Sequence, residues 1–490
     1  MAKVCIIGAG FSGMSAAAHM AKAGHEVHVF EKNSMPGGRA QYFEAEGFKF
    51  DMGPSWYWMP EVFERHYQLF GHTQTDFYQL DRLDPSYQVI FPDGKQEMPA
   101  NLNELAEIFE QLEPGSSKKL DKFLKDAAVK YEVGMEKMVF KPGLSITELL
   151  DPSLIKYIGS MQLFNNMQSY VRKNFKHKWI REILEFPVLF LGGQAKSIPA
   201  LYSLMNYADL ALGTWYPKGG MHEIAKAFHQ IALEQGVQFH FNKELESVEK
   251  EGSWINKLRF RDGEEVSTDL LINSGDYNHF DKKILKKEES NYSDQYWEKR
   301  KMSPSSILYF IGLKGKVNSL LHHNLFFDSD FATHADAIYK NPSFAENPLF
   351  YVCCPSKTDQ TVAPENGENL FILIPTAPGL PDSEEVRNDY FNKVIHRLEK
   401  FTGEKIKDRV LFKRDFGYQD FRSNYFAFKG NAYGLANTLG QTANLKPSIR
   451  SKHLINLYHT GQLTVPGPGV PPSIISGEMV AKHALKHVLS

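Results

Sequence analysis

At 490 residues the chain is too long for one simple core, and two or three domains are expected. A formal net charge of -2 gives no global basic field, so charge-driven binding of nucleic acid is excluded. Hydrophobic residues make up 42% and charged residues 23%, an ordinary globular balance, and no apolar run approaches the ~20 residues of a spanning helix.

The first element in the chain is a β-branched run, Val4 to Ile7, expected as a buried strand. Gly8, Gly10 and Gly13 follow at once in GxGxxG spacing, then a helix from Ser15 to Ala23, then a second apolar strand, Val27 to Phe30, closed by Glu31. In this unit Gly8 allows a tight turn, Gly10 lets a pyrophosphate approach the backbone, and Gly13 lets the helix lie close on the strand. The helix N-terminus offers N–H groups to phosphates, and Glu31 is placed to accept from ribose hydroxyls. A glycine-rich turn without a ligand is the alternative. The strand before it, the helix after it and the acid at the expected distance favour dinucleotide binding. Because the apolar run continues directly into this motif, the N-terminus does not read as a signal peptide. Cys5, Cys353 and Cys354 all lie in apolar runs, so a disulfide framework is not expected and a reduced compartment is. No CxxC spacing is present, and no metal site is expected.

Pro36-Gly37-Gly38-Arg39 comes next. A glycine pair and an Arg just after the acidic residue resemble the two-dinucleotide-binding flavoproteins that hold FAD; a plain surface turn is the alternative. Phe48 and Phe50 alternate as in a strand, and Gly53-Pro54-Ser55 then makes either a turn beside the flavin or a hairpin corner. Glu61 to Phe70 reads as a helix, and Tyr87 to Glu97 as a hairpin with Asp93-Gly94 at its tip. Asn101 to Asp126 and Leu149 to Ile183 are amphipathic and mostly helical, with solvated charges. Aromatic residues then crowd together from Phe186 to Tyr216. Leu201, Leu204, Met205, Ala208 and Leu212 fall on one helical stripe with Asp209 at its edge. These residues read as core packing singly, and as the lining of a long apolar pocket together.

His222 to Gln235 is expected as a helix and Gly236 to Phe241 as a strand. Leu245 to Val248 and Lys257 to Arg261 form a small sheet turning at Asp262-Gly263, and Asp269 to Asn273 is a buried strand. Ile307 to Leu313, Leu349 to Cys354 and Leu370 to Pro375 read as strands of a second sheet, and Glu384 to Phe401 as a helix. The chain closes with a strand from Leu454 to Tyr458, a Gly- and Pro-rich loop and a helix starting near Pro472, whose N-terminus can face a polar ligand group.

Three stretches together resemble the bacterial phytoene desaturase family, the carotenoid desaturases of the FAD-dependent amine-oxidase-like superfamily. They are Phe50-Asp51-Met52-Gly53-Pro54-Ser55, Trp215 through Met221, and the ending from Gly461 through Pro471 to Gly477. The resemblance covers nearly the whole chain. It implies an α/β fold in which a Rossmann-like two-dinucleotide-binding FAD domain carries an inserted α+β substrate domain. The FAD domain would comprise residues 1–80, 216–277 and 445–490, and the substrate domain 81–215 and 278–444. The cofactor-contacting set is then Gly8, Ala9, Gly10, Ser12 and Gly13; Glu31 and Lys32; Gly38 and Arg39; Gly53, Pro54 and Ser55; Val248, by its backbone; and Gly461, Gly469, Val470 and Pro471 in the flavin wall.

The implied activity is removal of hydrogen from a long apolar polyene, most simply phytoene. Oxidised flavin supplies the hydride acceptor that no side chain can. Asp209 is one candidate for the base, the alternative being a solvated or structurally hydrogen-bonded carboxylate. Another carotenoid or triterpenoid desaturase or isomerase, a flavin-bearing binding protein and a flavin amine oxidase stay open. No cysteine follows Cys354, so FAD is expected to be released on denaturation. An insoluble substrate implies peripheral attachment to the cytoplasmic side of a membrane, with the region from Phe186 to Tyr216 as the docking candidate. Oligomeric state is not readable from the sequence.

Overall fold

In the computed structural model, which describes residues 1–145, 148, 162 and 165–489, the first apolar run becomes the central strand of a five-stranded parallel sheet. Its strands are β1 (Lys3–Ile7), β2 (Glu26–Glu31), β3 (Gln238–Phe241), β4 (Leu270–Asn273) and β5 (Leu457–His459). They lie in the order β5-β4-β1-β2-β3. Ile7 stands opposite Phe30 on one side and Asn273 on the other, and Asn273 opposite His459. Successive residues of β1 serve two cores. Val4 and Ile6 pack under helices, while Cys5 packs with Leu258 and Phe260 of a three-stranded antiparallel sheet. Burial on both faces is why these strands read as continuous apolar runs.

Helix α1 (Phe11–Lys22) starts four residues before the expected Ser15, because Gly10 already serves as its N-cap. It lies against α2 (His222–Glu234) and α3 (Val470–His487). Side-chain-free contact makes the α1–α3 crossing possible. A Cβ on Gly477 would sit 2.2 Å from the Ser12 carbonyl oxygen; on the other side of α1, one on Gly13 would sit 2.1 Å from the Gly8 carbonyl oxygen, so that glycine lets α1 close on the turn before it. The Ser15 hydroxyl donates to the Ile474 carbonyl across the α1–α3 contact (2.9 Å).

The expected hairpin and second sheet merge into one seven-stranded sheet. From one edge the order is Val410–Phe416, Ser305–Lys314, Gly367–Thr376, Phe350–Cys353 and His323–Phe326, and then the hairpin Tyr87–Phe91 and Gly94–Met98. Only the pairing of His323–Phe326 with Tyr87–Phe91 is parallel. Alternation again sets the faces. Ile307, Tyr309 and Ile311 pack on the helix Glu384–Thr402, while Leu308 and Phe310 face the opposite core.

Two expectations change. Helices Met167–Asn174 and Lys178–Glu185 occupy the later part of the stretch expected to be helical from Leu149; residues 149–161 lie outside the described residues. The stripe from Leu201 to Leu212 is not one α-helix. It is a 3-10 turn (Ala200–Ser203), a single α-turn and a π-turn over Tyr207–Ala211. The wider π-turn changes the angular spacing of side chains, which turns Asp209 inward rather than leaving it at a stripe edge.

Candidate active site

The carboxyl ends of all five parallel strands open into one cavity of about 500 Å³. Gly8, Gly10, Phe11 and Ser12 line it after β1, Glu31 to Asn33 after β2, and Lys243 to Leu245 after β3. Ser274 to Asp276 follow β4, and Gly461 and Gln462 follow β5. This is the edge at which open parallel sheets bind ligands. Gly8 holds φ +98°, a left-handed turn that an L-residue adopts only under strain. A Cβ placed on Gly10 would meet nothing within 4 Å, so the backbone borders open space there. Two long helices start at this cavity, α1 capped by Gly10 and α3 by Gly469, and each aims its positive dipole end inward.

Glu31 is buried at the end of β2, and burial pushes its carboxyl up. Its oxygens accept from the Ala9 N–H (2.8 Å) and the Asn33 N–H (2.9 Å), tying the first turn to β2. The remaining lone pairs face the cavity that Glu31 lines. Arg39 lines the same cavity. Its two terminal nitrogens donate to the Gln462 side-chain oxygen (2.9 and 3.1 Å), while its buried Nε has no partner. Gly38, Gly53, Pro54, Ser55, Lys32, Val470 and Pro471 also line the cavity.

Three expected residues do not. Ala9 contributes its N–H to Glu31, and Gly13 lies beneath the turn against Gly8. Val248 packs with the core under the three-stranded sheet, and the part of that block reaching the cavity is Lys243 to Leu245. Lys243 to Leu245, Asp276 and Gln462 were missed. Their signal was position: each follows the carboxyl end of a strand in the same sheet.

Beyond Ser55 the cavity becomes an apolar chamber walled by Trp56, Trp58, Phe186, Phe190, Phe327 and Phe371. The rings interlock edge to face, Trp58 on Phe190 at 5.1 Å and Trp56 on Tyr87 at 5.4 Å. The Asp, Glu, Lys and Arg residues lining the cavity are Glu31, Lys32, Arg39, Lys243, Glu244 and Asp276, all at the strand-end side. His334 lines the chamber with its ring committed, Nδ1 accepting from the Leu349 N–H (3.0 Å) and Nε2 donating to the Pro375 carbonyl (3.0 Å).

Asp209 does not reach the cavity. It is buried one layer behind the wall, accepting from Tyr87 Oη (2.9 Å) and Thr214 Oγ1 (3.3 Å). Thr214 Oγ1 in turn accepts from Trp58 Nε1 (2.8 Å). The carboxylate thus steadies two aromatic side chains, and burial pushes its pKa up to about 7. The docking candidate is corrected as well. Phe186, Val188 and Tyr216 are buried, and Phe190 faces the chamber rather than solvent.

A cavity that opens on five strand ends and two helix N-termini and runs into an aromatic chamber suits a dinucleotide cofactor held against an apolar ligand. Comparison with known proteins makes this specific. Residues 11–485 match the model of the family described as flavin containing amine oxidoreductase. The chain is 38% identical over 489 residues to the carotenoid 3,4-desaturase of Haloarcula japonica, covering 99% of this chain and 98% of that one. It is 29% identical to the zeta-carotene-forming phytoene desaturase of Myxococcus xanthus, covering 99% and 94%. Among solved structures, putrescine oxidase bound to putrescine (TM-score 0.62, 14% identity, 99% of each chain) shares the fold. So does a putative protoporphyrinogen oxidase from Exiguobacterium (TM-score 0.62, 13% identity, 99% of each chain). The chain belongs to the flavin-containing amine oxidoreductase family and, within it, to the carotenoid desaturases; it is an FAD-dependent oxidoreductase. The open backbone at Gly10, the unpartnered Arg39 Nε and the two helix N-termini fit the pyrophosphate and polar edges of FAD.

A Cβ at Gly10 enters the cradle without touching protein, so Gly10→Val should fold and purify without FAD. Wild-type flavin-to-protein absorbance would contradict the phosphate assignment. Glu31→Ala is a poorer probe, because it also strands the Ala9 and Asn33 N–H groups.

A carboxyl raised on folding favours the protonated state of the native protein, so its contribution to stability is complete below the unfolded value of 3.8 and is lost as pH rises to about 7. Relative to wild type, Asp209→Asn should therefore gain stability across that window and stay level above it. Urea midpoints of both proteins at several pH values check this, and parallel curves would show that Asp209 does not titrate as described.

Proposed function

We propose that this carotenoid desaturase introduces C=C bonds into a long acyclic C40 polyene, phytoene in the first instance. The observation that carries the reading is the uncharged aromatic chamber continuous with the nucleotide cradle. A cationic amine would find no carboxylate in that chamber, whereas a hydrocarbon gains about 25 cal/mol for each Å² it buries there.

Bound FAD supplies the hydride acceptor. The chain's own residues bind, orient and keep dry. Trp56 and Trp58 present ring faces and edges to the polyene, and positive charge developing along it would be stabilised by their π-systems. Asp209 acts on this step only through Trp58 and Tyr87, so it is a positioning residue. The cofactor-contacting set comprises the strand-end residues Gly8, Gly10, Ser12 and Glu31, with Arg39, Ser55 and the loop from Gly461 to Pro471.

A second reading, 3,4-desaturation of an already conjugated carotenoid, is favoured by the name of the Haloarcula relative. Substrate would enter from a membrane. No helix among the described residues is long and apolar enough to cross one, so attachment would be peripheral. Exposed Leu144, Leu439 and Leu445 suit it, since Gly143 lies against Val465 and Ala443 and brings the segments carrying these side chains together.

FAD-loaded protein, mixed anaerobically with vesicles carrying phytoene or lycopene, tests the reading. The protein should float with the vesicles at low and high salt, and its flavin should bleach with phytoene. Bleaching with lycopene alone would establish the second reading, and an oxidised flavin with both polyenes would sink the proposal.

A further inference from the structure

The strand pairing beside the chamber brings together three side chains that the desaturation reading does not use. His323 and Cys353 are direct cross-strand partners on neighbouring antiparallel strands. Such partners hold their Cβ atoms about 4.5–5.5 Å apart. His322 precedes His323 and turns its ring edgewise onto it, centroids 4.4 Å apart. One potential ligand atom from each of the three lies within 4.8 Å of the other two, and all three residues are buried.

The hydrogen bonds orient this cluster. His322 Nδ1 pairs with Thr358 Oγ1 (2.8 Å), and His323 Nδ1 pairs with Tyr351 Oη (2.6 Å). In both rings Nε2 is buried and has no partner. Two unpaired buried nitrogens cost stability in a purely structural core. In metal sites, by contrast, a ligating imidazole usually has its second nitrogen fixed by a hydrogen bond. Next to His322 and Cys353 is a cavity of about 20 Å³, also lined by Asp51, Tyr216 and Asn369. That is room for one water-sized ligand.

We propose that a late first-row metal ion, Zn²⁺ or copper, binds here through Nε2 of His322, Nε2 of His323 and Sγ of Cys353. Two imidazoles and a thiolate suit these ions, and the small cavity supplies a fourth ligand position. Binding releases the Cys353 thiol proton to solvent, so affinity falls as pH falls. The ion would lie directly behind the chamber wall, because the Trp56 indole stacks on the His323 ring (4.1 Å, 10°) and Tyr351 Oη donates to Ser55 Oγ (3.1 Å). It would brace the turn that joins the nucleotide cradle to the chamber.

The test is elemental analysis of purified FAD-loaded protein from cultures supplied with zinc and, separately, copper, together with the absorption spectrum after titration with Co²⁺ as a zinc stand-in. Stoichiometric metal and a thiolate-to-cobalt charge-transfer band are expected. Cys353→Ser should abolish that band, and His322→Asn should lower metal content at least tenfold, while both retain FAD as a check on folding. Wild-type protein with only trace metal under both supplements and no cobalt band overturns the site, with no variant needed. Metal content unchanged in both FAD-retaining variants overturns it equally.

Discussion

The molecule depends on one close approach, that of α1 to α3 over the carboxyl ends of the parallel strands. Gly477 leaves no room for a Cβ at that contact, and Gly13, just below it, leaves none between α1 and the turn at Gly8. With the two helices so near, their N-termini lie at one cavity together with the ends of all five strands. Residues separated by more than 400 positions thereby line a single cavity. Displacing either helix would separate the phosphate cradle from the loop that begins at Gly461.

The chamber follows from the second sheet. Its strands put alternate residues on two faces, so one face can stack on the helix Glu384–Thr402 while the other supplies Leu308, Leu325 and Phe371 to the chamber side. The turn from Gly53 to Trp58 links the two halves. Its backbone borders the cradle, its indoles wall the chamber, and buried polar partners hold it from behind: Thr214 and Asp209 for Trp58, and Tyr351 and His323 for Ser55 and Trp56. Fixing aromatic rings through buried hydrogen bonds and ring stacking keeps an apolar pocket in one shape without placing a charge in it.

Much of this was legible in the sequence where function rests on backbone. Gly8, Gly10 and Gly13 shape the turn through chain geometry, Glu31 ties it to β2 at a fixed spacing, and the pattern survives in one dimension. The fold class was legible for the same reason, since strands buried on both faces read as continuous apolar runs. Asp209 was harder to place. A π-turn changes the angular spacing on which helical periodicity depends, so its inward direction could not be read from the stripe. Lys243, Asp276 and Gln462 were missed because strand order, not local pattern, brings them to the cavity. The His322–His323–Cys353 cluster was missed for a related reason. Its members are joined by pairing across two strands, and their spacing matches no short ligand motif.

The central claim is that one continuous cavity holds FAD at the strand ends and a polyene in the aromatic chamber, meeting at Gly53 to Trp56. A crystal structure of the protein with FAD and a bound carotenoid tests it most directly. The account predicts the pyrophosphate against Gly10, the flavin ring between Ser55 and the Gly461–Pro471 loop, and the polyene running past Trp56 and Phe371. A carotenoid bound elsewhere on the molecule, with the chamber closed or filled by water, would contradict it.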